Sequence, residues 1–321
     1  LGQKYSLEII GKVHDTGNNL GIPKPALQNT LEFLEEDVEE DTGINVKFPL
    51  DQVGAEVLLI VPSADFFSAP HVDSLIGYAK VFHKSGISFT FSSYASEFAN
   101  FGVFIGNYEQ MRKVASRIEE QARSLKVKRI VVGECGHAWR VAYSFWNTLA
   151  GPFDFLDSRY PVPQHICEFT YDLIKQGAIK LDKSANDDYV VTYHDSCNVA
   201  RASRMGPSPG GQFEIPRELI KASCNKFVEM NPCTNKERTF CCGGGGGLLT
   251  DELLELRVKG ASPKVAALKE SMDNHDVNFM AMICAICKAQ FTKVLPYYDI
   301  PMDTVGGVHQ LISNAIVLGD K

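Results

Sequence analysis

Cysteine is missing from the first 134 residues of this chain, although the whole sequence of 321 residues contains nine. Residues 1–15 also lack the basic start and apolar run of a secretory signal, so a secreted disulfide framework is not expected. No apolar stretch approaches the length of a membrane span, and the best candidate is residues 57–62. We therefore expect reduced cysteines that act as metal ligands, and no direct membrane span.

An excess of basic residues is absent too. The formal net charge is −7 and no basic stripe occurs, which argues against nucleic acid as a partner. With 45% hydrophobic and 22% charged residues, the composition is typical of a globular protein with one large domain or two closely packed ones. The chain opens on Leu1 rather than Met, so we expect it to be part of a longer protein.

Short β-rich runs alternate with helical patterns after residue 50, which predicts βαβ units and mostly parallel sheets. The same order occurs twice, so we predict an α/β fold made of two halves related by a pseudo-twofold axis. The predicted strands are 57–61, 87–91, 130–133, 189–193, 226–230 and 279–283. The predicted helices are 26–41, 72–83, 108–125, 138–149, 248–258, 265–272, 288–295 and 304–318.

Three segments follow from this pattern. Residues 1–50 are predicted to be a lead-in from a preceding module, and residues 51–160 to be the first half of the duplication. Residues 161–321 are predicted to be the second half, after a junction that is rich in proline.

Five cysteines of the second half come after predicted strands, and they are Cys197, Cys241, Cys242, Cys284 and Cys287. Intervals of 43 and 41 residues separate the three loops that carry them. Ligands of open α/β sheets gather beyond the carboxyl ends of the strands, so we expect the thiols to converge. Four of them could hold a zinc ion, but all five fit better around a multinuclear iron–sulfur cluster.

Five glycines follow Cys242 directly, at residues 243–247. Backbone without Cβ can approach a cluster closely and point successive N–H groups at it. We therefore predict that Gly243, Gly244 and Gly245 line a bound cofactor. The predicted helix from residue 248 would place a helix N-terminus beside the same site.

Three features, Cys197, FCCGGGGG and MICAICKAQ, resemble the cysteine-rich CCG domain of the heterodisulfide reductase superfamily, over roughly residues 50–320. The resemblance implies that the five cysteines bind a noncubane [4Fe–4S] cluster that splits disulfides. The family usually has two CCG motifs, whereas the first half of this chain has lost the cysteines of that motif. The two intervals of the second half are also somewhat long. The segments GECGHAWR and HDTGNNLGIP look most like the K subunits of the membrane-linked Dsr complex of dissimilatory sulfur metabolism, or their menaquinol-oxidising relatives.

This resemblance implies an oxidoreductase that reduces, or reversibly forms, a disulfide or trisulfide on a small sulfur-carrier protein. Electrons would come from menaquinol through a membrane cytochrome b subunit. Additional cubane [4Fe–4S] clusters would lie in a module that precedes this region. The subunit would be peripheral, on the cytoplasmic side of the membrane, and the physiological direction stays open.

Each released sulfur needs a proton, so we expect an acid near the cysteines. His137, Glu134 and His194 are the candidates, because they sit at predicted strand ends, although His194 also fits a polar residue that only caps a strand. Cys135 is a redox-active thiol, a ligand of a further cofactor or a buried apolar residue. Cys233 is a candidate for a further ligand or an exchange thiol.

Two other functions remain open at the level of sequence. CCG domains also occur in iron–sulfur subunits of lactate or glycolate oxidases, although the degenerate first half argues against that assignment. Alternatively, the five cysteines could bind zinc in a non-catalytic subunit that only assembles a complex. Metal and sulfide analysis separates the zinc hypothesis from the redox hypotheses.

Overall fold

Two parallel β-sheets organise the chain, and the computed structural model describes residues 2–96 and 100–319. The strands are β1 (Val57–Ile60), β2 (Phe89–Thr90), β3 (Arg129–Val132), β4 (Gln164–His165), β5 (Val191–Tyr193), β6 (Phe279–Met282) and β7 (Val305–Gly307). The helices are α1 (Gly2–Thr16), α2 (Lys24–Thr42), α3 (His71–Ser85), α4 (Asn100–Ile105), α5 (Tyr108–Ser124), α6 (Gly136–Ala150), α7 (Ile166–Lys175), α8 (Cys197–Ala202), α9 (Gly211–Ser223), α10 (Leu254–His275), α11 (Ala285–Val294) and α12 (Val308–Ala315).

Both sheets have the same strand order. The first runs β2-β1-β3-β4 and the second runs β5-β6-β7. In the second sheet, Phe227 bridges Val191 of β5 in parallel, at the position that β2 occupies beside β1 in the first. The predicted α/β fold with repeated βαβ units and parallel sheets is therefore confirmed.

Burial explains why these segments form strands. All four residues of β1 and all four of β6 are at most 1% exposed. Strands that are covered on both faces are continuous apolar runs rather than alternating ones, as in parallel sheets packed between helices. Each strand then delivers the loop after it to the same edge of its sheet, which is where the cysteines lie.

Four predicted elements of the second half differ from the structure. Residues 226–230 form only the bridge at Phe227, because the chain turns at Asn231, whose carbonyl accepts a hydrogen bond from the Thr234 amide at 2.8 Å. The helices predicted at 248–258 and 265–272 are one helix, α10, in which Pro263 is tolerated. The helix predicted at 304–318 is shorter, because residues 305–307 pair with β6 as strand β7.

The segment before residue 50 contains two helices, α1 in addition to the predicted α2. Strand β4 lies beyond residue 160 but pairs with β3 of the first sheet. The limits of the two halves at 160 and 161 stay a prediction, and Glu97, which belongs to a first-half loop, lies outside the described residues. Within the described part of the chain, no helix has the length and apolarity needed to cross a membrane.

Candidate functional site

The five cysteines of the second half form one continuous row. Cys197 shares a side-chain hydrogen bond with Cys241, and Cys241 shares another with Cys242. Cys242 contacts Cys287 in the same way, and Cys287 contacts Cys284. The structure thus brings all five predicted residues together, from three loops at the carboxyl edge of the second sheet.

The loops that carry the thiols explain this convergence. Cys197 begins α8, four residues after β5 ends, and Cys284 is the N-cap residue of α11, two residues after β6 ends. Adjacent parallel strands bring these loops side by side, because Tyr193 pairs with Ala281. The Cys241-Cys242 pair completes the row from the long connection between α9 and α10.

One end of the row is open and the other is closed. Cys241 is exposed and Cys197 is partly buried, whereas Cys242, Cys284 and Cys287 are buried. A molecule in solution can therefore approach the row only from the side of Cys197 and Cys241.

Hydrogen bonds between neighbours divide the pKa values of the thiols into two groups. The pKa of Cys241 lies far below the usual thiol range because Cys197 and Cys242 hydrogen-bond to its sulfur. The pKa of Cys284 is also well below that range, owing to Cys287 and to His137. Hydrogen bonds with neighbouring thiols of the row raise the pKa of the other three, which are Cys197, Cys242 and Cys287. Two of the five sulfurs thus favour the thiolate form and three favour the thiol form, and a bound metal centre would favour release of the remaining protons.

The glycine loop supplies backbone donors to two of the sulfurs. The amide of Gly243 donates to Cys241 Sγ at 3.3 Å, and that of Gly244 donates to Cys242 Sγ at 3.4 Å. Gly243 has a φ of 86°, and a Cβ on it would lie 2.5 Å from the Arg257 carbonyl oxygen, so only glycine fits there. The structure thus places two of the three predicted glycines against the row, and a role for Gly245 stays a prediction.

The helix after these glycines begins later than predicted. Gly245, Gly246 and Gly247 all have positive φ, and a 3-10 turn over Asp251–Leu253 precedes the helix, which starts only at Leu254. Left-handed glycine backbone cannot enter an α-helix directly, which is why the helix is delayed. The helix ends that do reach the thiols are those of α8 and α11.

The five sulfurs are not gathered around one point, as the ligands of a single metal ion would be. Around one tetrahedral zinc, sulfurs lie about 3.8 Å apart, as follows from a Zn–S bond of about 2.3 Å. Among the described residues, the set of three ligand atoms within 4.8 Å of one another is Glu134, Cys167 and His309, and the five cysteines form no such compact set. Ligands spread along a row fit a group with several metal atoms.

Glu134, a predicted acid, lies in a buried network between the two halves. Its carboxylate lies 3.3 Å from Lys288 Nζ and 2.8 Å from His309 Nδ1, and it accepts a hydrogen bond from Ser74 at 3.0 Å. Burial alone would raise the pKa of Glu134, but Lys288 and His309 outweigh it and lower the pKa to about 2. Glu134 is thus ionised at neutral pH and has no proton to give.

The donors of the compact set around Glu134 are already occupied. His309 Nε2 lies 2.8 Å from the Thr170 hydroxyl, and its Nδ1 faces Glu134. The pKa of Cys167 is raised well above the thiol range, chiefly by burial, so this cysteine is a neutral core residue. Lys288 provides the positive charge that a metal ion would otherwise bring.

His194 does not face a cleft as predicted. Its side chain has no solvent exposure, and its ring lies edge-on to Phe291 at 5.2 Å between centroids. Burial, followed by the charge of Lys264, lowers the pKa of His194 well below its ordinary value. This imidazole is therefore neutral, which does not suit a proton donor.

His137 reaches the row of thiols from the first half. Its Nδ1 lies 3.6 Å from Cys284 Sγ, and its Nε2 lies 2.9 Å from the Asn198 amide nitrogen. Cys135 is buried, and its sulfur accepts a hydrogen bond from the Ala138 amide at 3.4 Å inside the first turn of α6. His137 thus contacts a thiol of the row.

Two residues that hold the site were not predicted. Asp195 binds Arg217 through two bonds of 2.9 and 2.8 Å and accepts a third, of 2.8 Å, from the backbone amide of Lys236. It thereby ties the loop of Cys197 to the loop that leads to Cys241. Asn198 is the second, since it follows Cys197 and contacts His137. The signal was their position in the motif HDSCN, which flanks a predicted ligand.

Cys233 and Cys224 are not members of the row. Cys233 is exposed, with Arg238 Nη1 4.0 Å from its sulfur. Cys224, at the end of α9, is buried, and burial raises its pKa to about 11.

Two arginines hold the loops around the row. Arg140 donates to the Asn198 side-chain oxygen at 3.1 Å, and Arg201 donates to the carbonyl of Thr239 at 2.7 Å. Arg140 thus ties α6 of the first half to the loop of Cys197, and Arg201 ties α8 to the segment that leads to Cys241.

Comparison with known proteins adds to this geometry. The CCG cysteine-rich domain family matches residues 191–292, the segment that contains the whole row. The Hdr-like menaquinol oxidoreductase iron-sulfur subunit 2 of Archaeoglobus fulgidus is 35% identical, over 99% of this chain and 61% of that protein. The corresponding subunit of Archaeoglobus profundus is also 35% identical, with the same coverage of 99% and 61%.

A more distant relative is one of the subunits of the dihydromethanophenazine:CoB--CoM heterodisulfide reductase of Methanosarcina mazei. It is 30% identical, over 65% of this chain and 46% of that protein. The chain thus spans about three fifths of the length of the two Archaeoglobus relatives and less than half of the Methanosarcina one.

Proposed function

The chain belongs to the heterodisulfide reductase superfamily through its CCG domain, and we propose that it is the iron–sulfur subunit of a menaquinol-linked enzyme that reduces a sulfur–sulfur bond. The observation that carries this proposal is the unbroken row of five thiols. Such a row fits neither a disulfide framework nor a single ion, and it matches the ligand number of a multinuclear cluster.

Cys197, Cys241, Cys242, Cys284 and Cys287 would hold a [4Fe–4S] cluster of the noncubane type. Gly243 and Gly244 would keep their N–H groups on the sulfurs of Cys241 and Cys242, as they do here. Hydrogen bonds to ligand sulfurs reduce their negative charge and tune the reduction potential of such a group. The buried side of the row keeps water away from three of the five ligands.

When bound, such a cluster supplies two electrons, one at a time, to an S–S bond. Two protons complete the two product thiols. Oxidation of menaquinol to menaquinone releases two electrons and two protons, so the overall reaction balances. The names of the Archaeoglobus relatives support menaquinol as the donor, and that of the Methanosarcina relative supports a disulfide as the acceptor.

Protons would reach the products from solvent at the open end of the row. Glu134 carries no proton at neutral pH, and His194 is a neutral, sealed imidazole. The exposed side of Cys241, in contrast, meets water directly. This assignment replaces the predicted acid roles of Glu134 and His194.

The substrate we propose is a disulfide or trisulfide on a small sulfur-carrier protein. A protein substrate has to present its sulfur at the exposed end of the row, near Cys241. Further parts of the complex would be a membrane cytochrome b subunit and a module with cubane [4Fe–4S] clusters, with the subunit peripheral on the cytoplasmic side. The greater length of the relatives leaves room for such a module, and their names make them iron-sulfur subunits of a menaquinol oxidoreductase.

The test is metal and sulfide analysis of the chain after anaerobic purification. We expect about four iron atoms and about four acid-labile sulfides per chain. Cys242→Ser should lose most of the iron, while Cys224→Ala, which removes a buried thiol outside the row, should retain it. One zinc per chain without sulfide would contradict the proposal and favour an assembly subunit.

Electron paramagnetic resonance (EPR) tests the substrate. The oxidised, loaded protein should change its spectrum when a small thiol is added, because the thiol would enter at the open end. A spectrum that stays the same with added thiol, in a protein with full iron content, would refute sulfur chemistry at this site.

A further inference from the structure

The loop after β3 and the loop after β6 occupy corresponding positions in the two sheets. Val132 at the end of β3 pairs with His165 of β4, and Met282 at the end of β6 pairs with Gly307 of β7. Counted from these ends, Glu134 corresponds to Cys284 and His137 corresponds to Cys287. The first half thus carries Glu-x-x-His where the second half carries Cys-x-x-Cys.

The histidine of this loop points at the partner loop rather than at its own half. His137 is 4% exposed, and its Nδ1 lies 3.6 Å from Cys284 Sγ. Gly136 lies directly beside the same sulfur, since a Cβ at that residue would be 3.4 Å from it and 3.1 Å from Val199 Cγ2. Phe104 covers the ring edge-on, at 5.4 Å between centroids.

Asn198 determines which ring nitrogen carries the proton. Arg140 Nη1 donates to Asn198 Oδ1 at 3.1 Å, and a guanidinium can only donate, so the oxygen of this amide must face Arg140. The amide nitrogen of Asn198 then faces His137 Nε2 at 2.9 Å. Since an NH₂ group can only donate, Nε2 is the acceptor, and the proton of the neutral ring is on Nδ1.

We propose that His137 donates an Nδ1–H hydrogen bond to the sulfur of Cys284, with Asn198 and Arg140 as positioning residues that fix its tautomer, and that this bond raises the reduction potential of the cluster. The inference rests on the proposed function, in which the row of thiols holds an iron–sulfur cluster. A donor at a ligand sulfur lowers its negative charge, which favours the reduced state. The first half thus contributes to the site although it has lost the cysteines of the CCG motif.

The experiment compares midpoint potentials of variants with equal iron content. His137→Leu removes the donor and should lower the potential, whereas His137→Asn, whose side-chain amide can take the place of Nδ1–H, should restore most of it. Asn198→Leu, which releases the tautomer without adding charge, should lower the potential in the same direction. Equal potentials in the parent, His137→Leu and His137→Asn, at full iron content, would overturn the proposal.

A second measurement does not depend on the cluster. Nitrogen-15 chemical shifts of His137 in the metal-free protein should show a protonated Nδ1 in the parent and a mixture of tautomers in Asn198→Leu. A protonated Nε2 in the parent would overturn the inference even if the variants do not load iron. Failure of the parent itself to bind iron would instead refute the proposed function.

Discussion

Glu134 and Lys288 form an ion pair across the two halves of the fold, with Oε2 and Nζ 3.3 Å apart and both side chains without solvent exposure. Ser74 bonds to both partners at 3.0 Å. Lys288 directly follows Cys287, so the pair fixes the first turn of the helix that carries this thiol. The degenerate half thereby holds a loop of the cysteine site in place.

Neutralising one member of this pair should be costly. Glu134→Gln leaves Lys288 buried without a compensating charge, and we expect a loss of about 3–5 kcal/mol in the free energy of unfolding. Glu134→Leu combined with Lys288→Met should lose much less, because no unpaired charge remains. Urea denaturation measures both, with Glu255→Gln in the exposed Glu255–Lys259 pair as the control, for which about 0–1 kcal/mol is expected. A loss below about 1 kcal/mol for Glu134→Gln would contradict this account.

Two glycines of the loop after Cys242 should respond differently to alanine. Gly243→Ala meets the Arg257 carbonyl at 2.5 Å with a φ of 86°, and we expect a loss of about 2–5 kcal/mol. Gly245 has a φ of 53° but nothing nearer than 3.8 Å, so Gly245→Ala should cost about 1–2 kcal/mol. Thermal or chemical unfolding measures the loss of stability in each variant. Equal losses would show that the contact with the Arg257 carbonyl does not determine the cost at Gly243.

Stability should fall as the pH is lowered from about 6.5 to about 4. Burial, with the charge of Lys288 second, lowers the pKa of His71 to about 4, so the folded state stays neutral over this range while the unfolded state takes up a proton. Stability due to neutral His71 is present above pH 6.5 and is lost as the pH falls toward 4, on the order of 3 kcal/mol.

Chemical denaturation at several pH values tests this dependence. His71→Gln should flatten the slope below pH 6.5, because glutamine does not titrate. His83→Gln, which removes an exposed histidine of the same helix, should leave the slope as in the parent. An unchanged slope in His71→Gln would assign the acid sensitivity to other groups.

Alkylation of the metal-free, reduced protein should separate the cysteines by exposure. Cys233 and Cys241 are exposed and should react first with iodoacetamide, while Cys242, Cys284 and Cys287 should react only on unfolding. Mass spectrometry of the peptides gives the order. Cys233→Ser should also keep the iron content of the parent, because this thiol is not in the row, and a loss of iron there would make Cys233 a ligand.

The pattern of β-rich runs predicted six strands, and five of them match strands of the structure within about three residues, whereas β4 and β7 were not predicted. Apolar runs buried on both faces leave a clear signal in the sequence. The prediction at 226–230 was wrong because pairing beside Val191 extends over a single bridge. The predicted break between 258 and 265 was also wrong, since Gly260 and Pro263 weaken a helix whose tertiary packing still holds it together.

For the site, the five thiols could be predicted from their spacing after strands. The contact of His137 with Cys284 could not, because it joins two halves whose relative placement leaves no periodic signal in either. The role of Asn198 was hidden for the same reason. The sequence correctly placed Glu134 at a strand end. Only the structure shows that Lys288 and His309 bind its carboxylate within the core.

The row of thiols is accessible at Cys197 and Cys241 and is buried at its other end, at Cys284. A molecule of protein size would contact the row only at this accessible end. A folded partner whose reactive sulfur lies in its own interior could therefore not reach the thiols. Under the proposed function, the partner would have to carry that sulfur on a protruding tail or a flexible arm. The burial pattern of the row would therefore select partners by the position of their reactive sulfur, independently of any chemistry that follows.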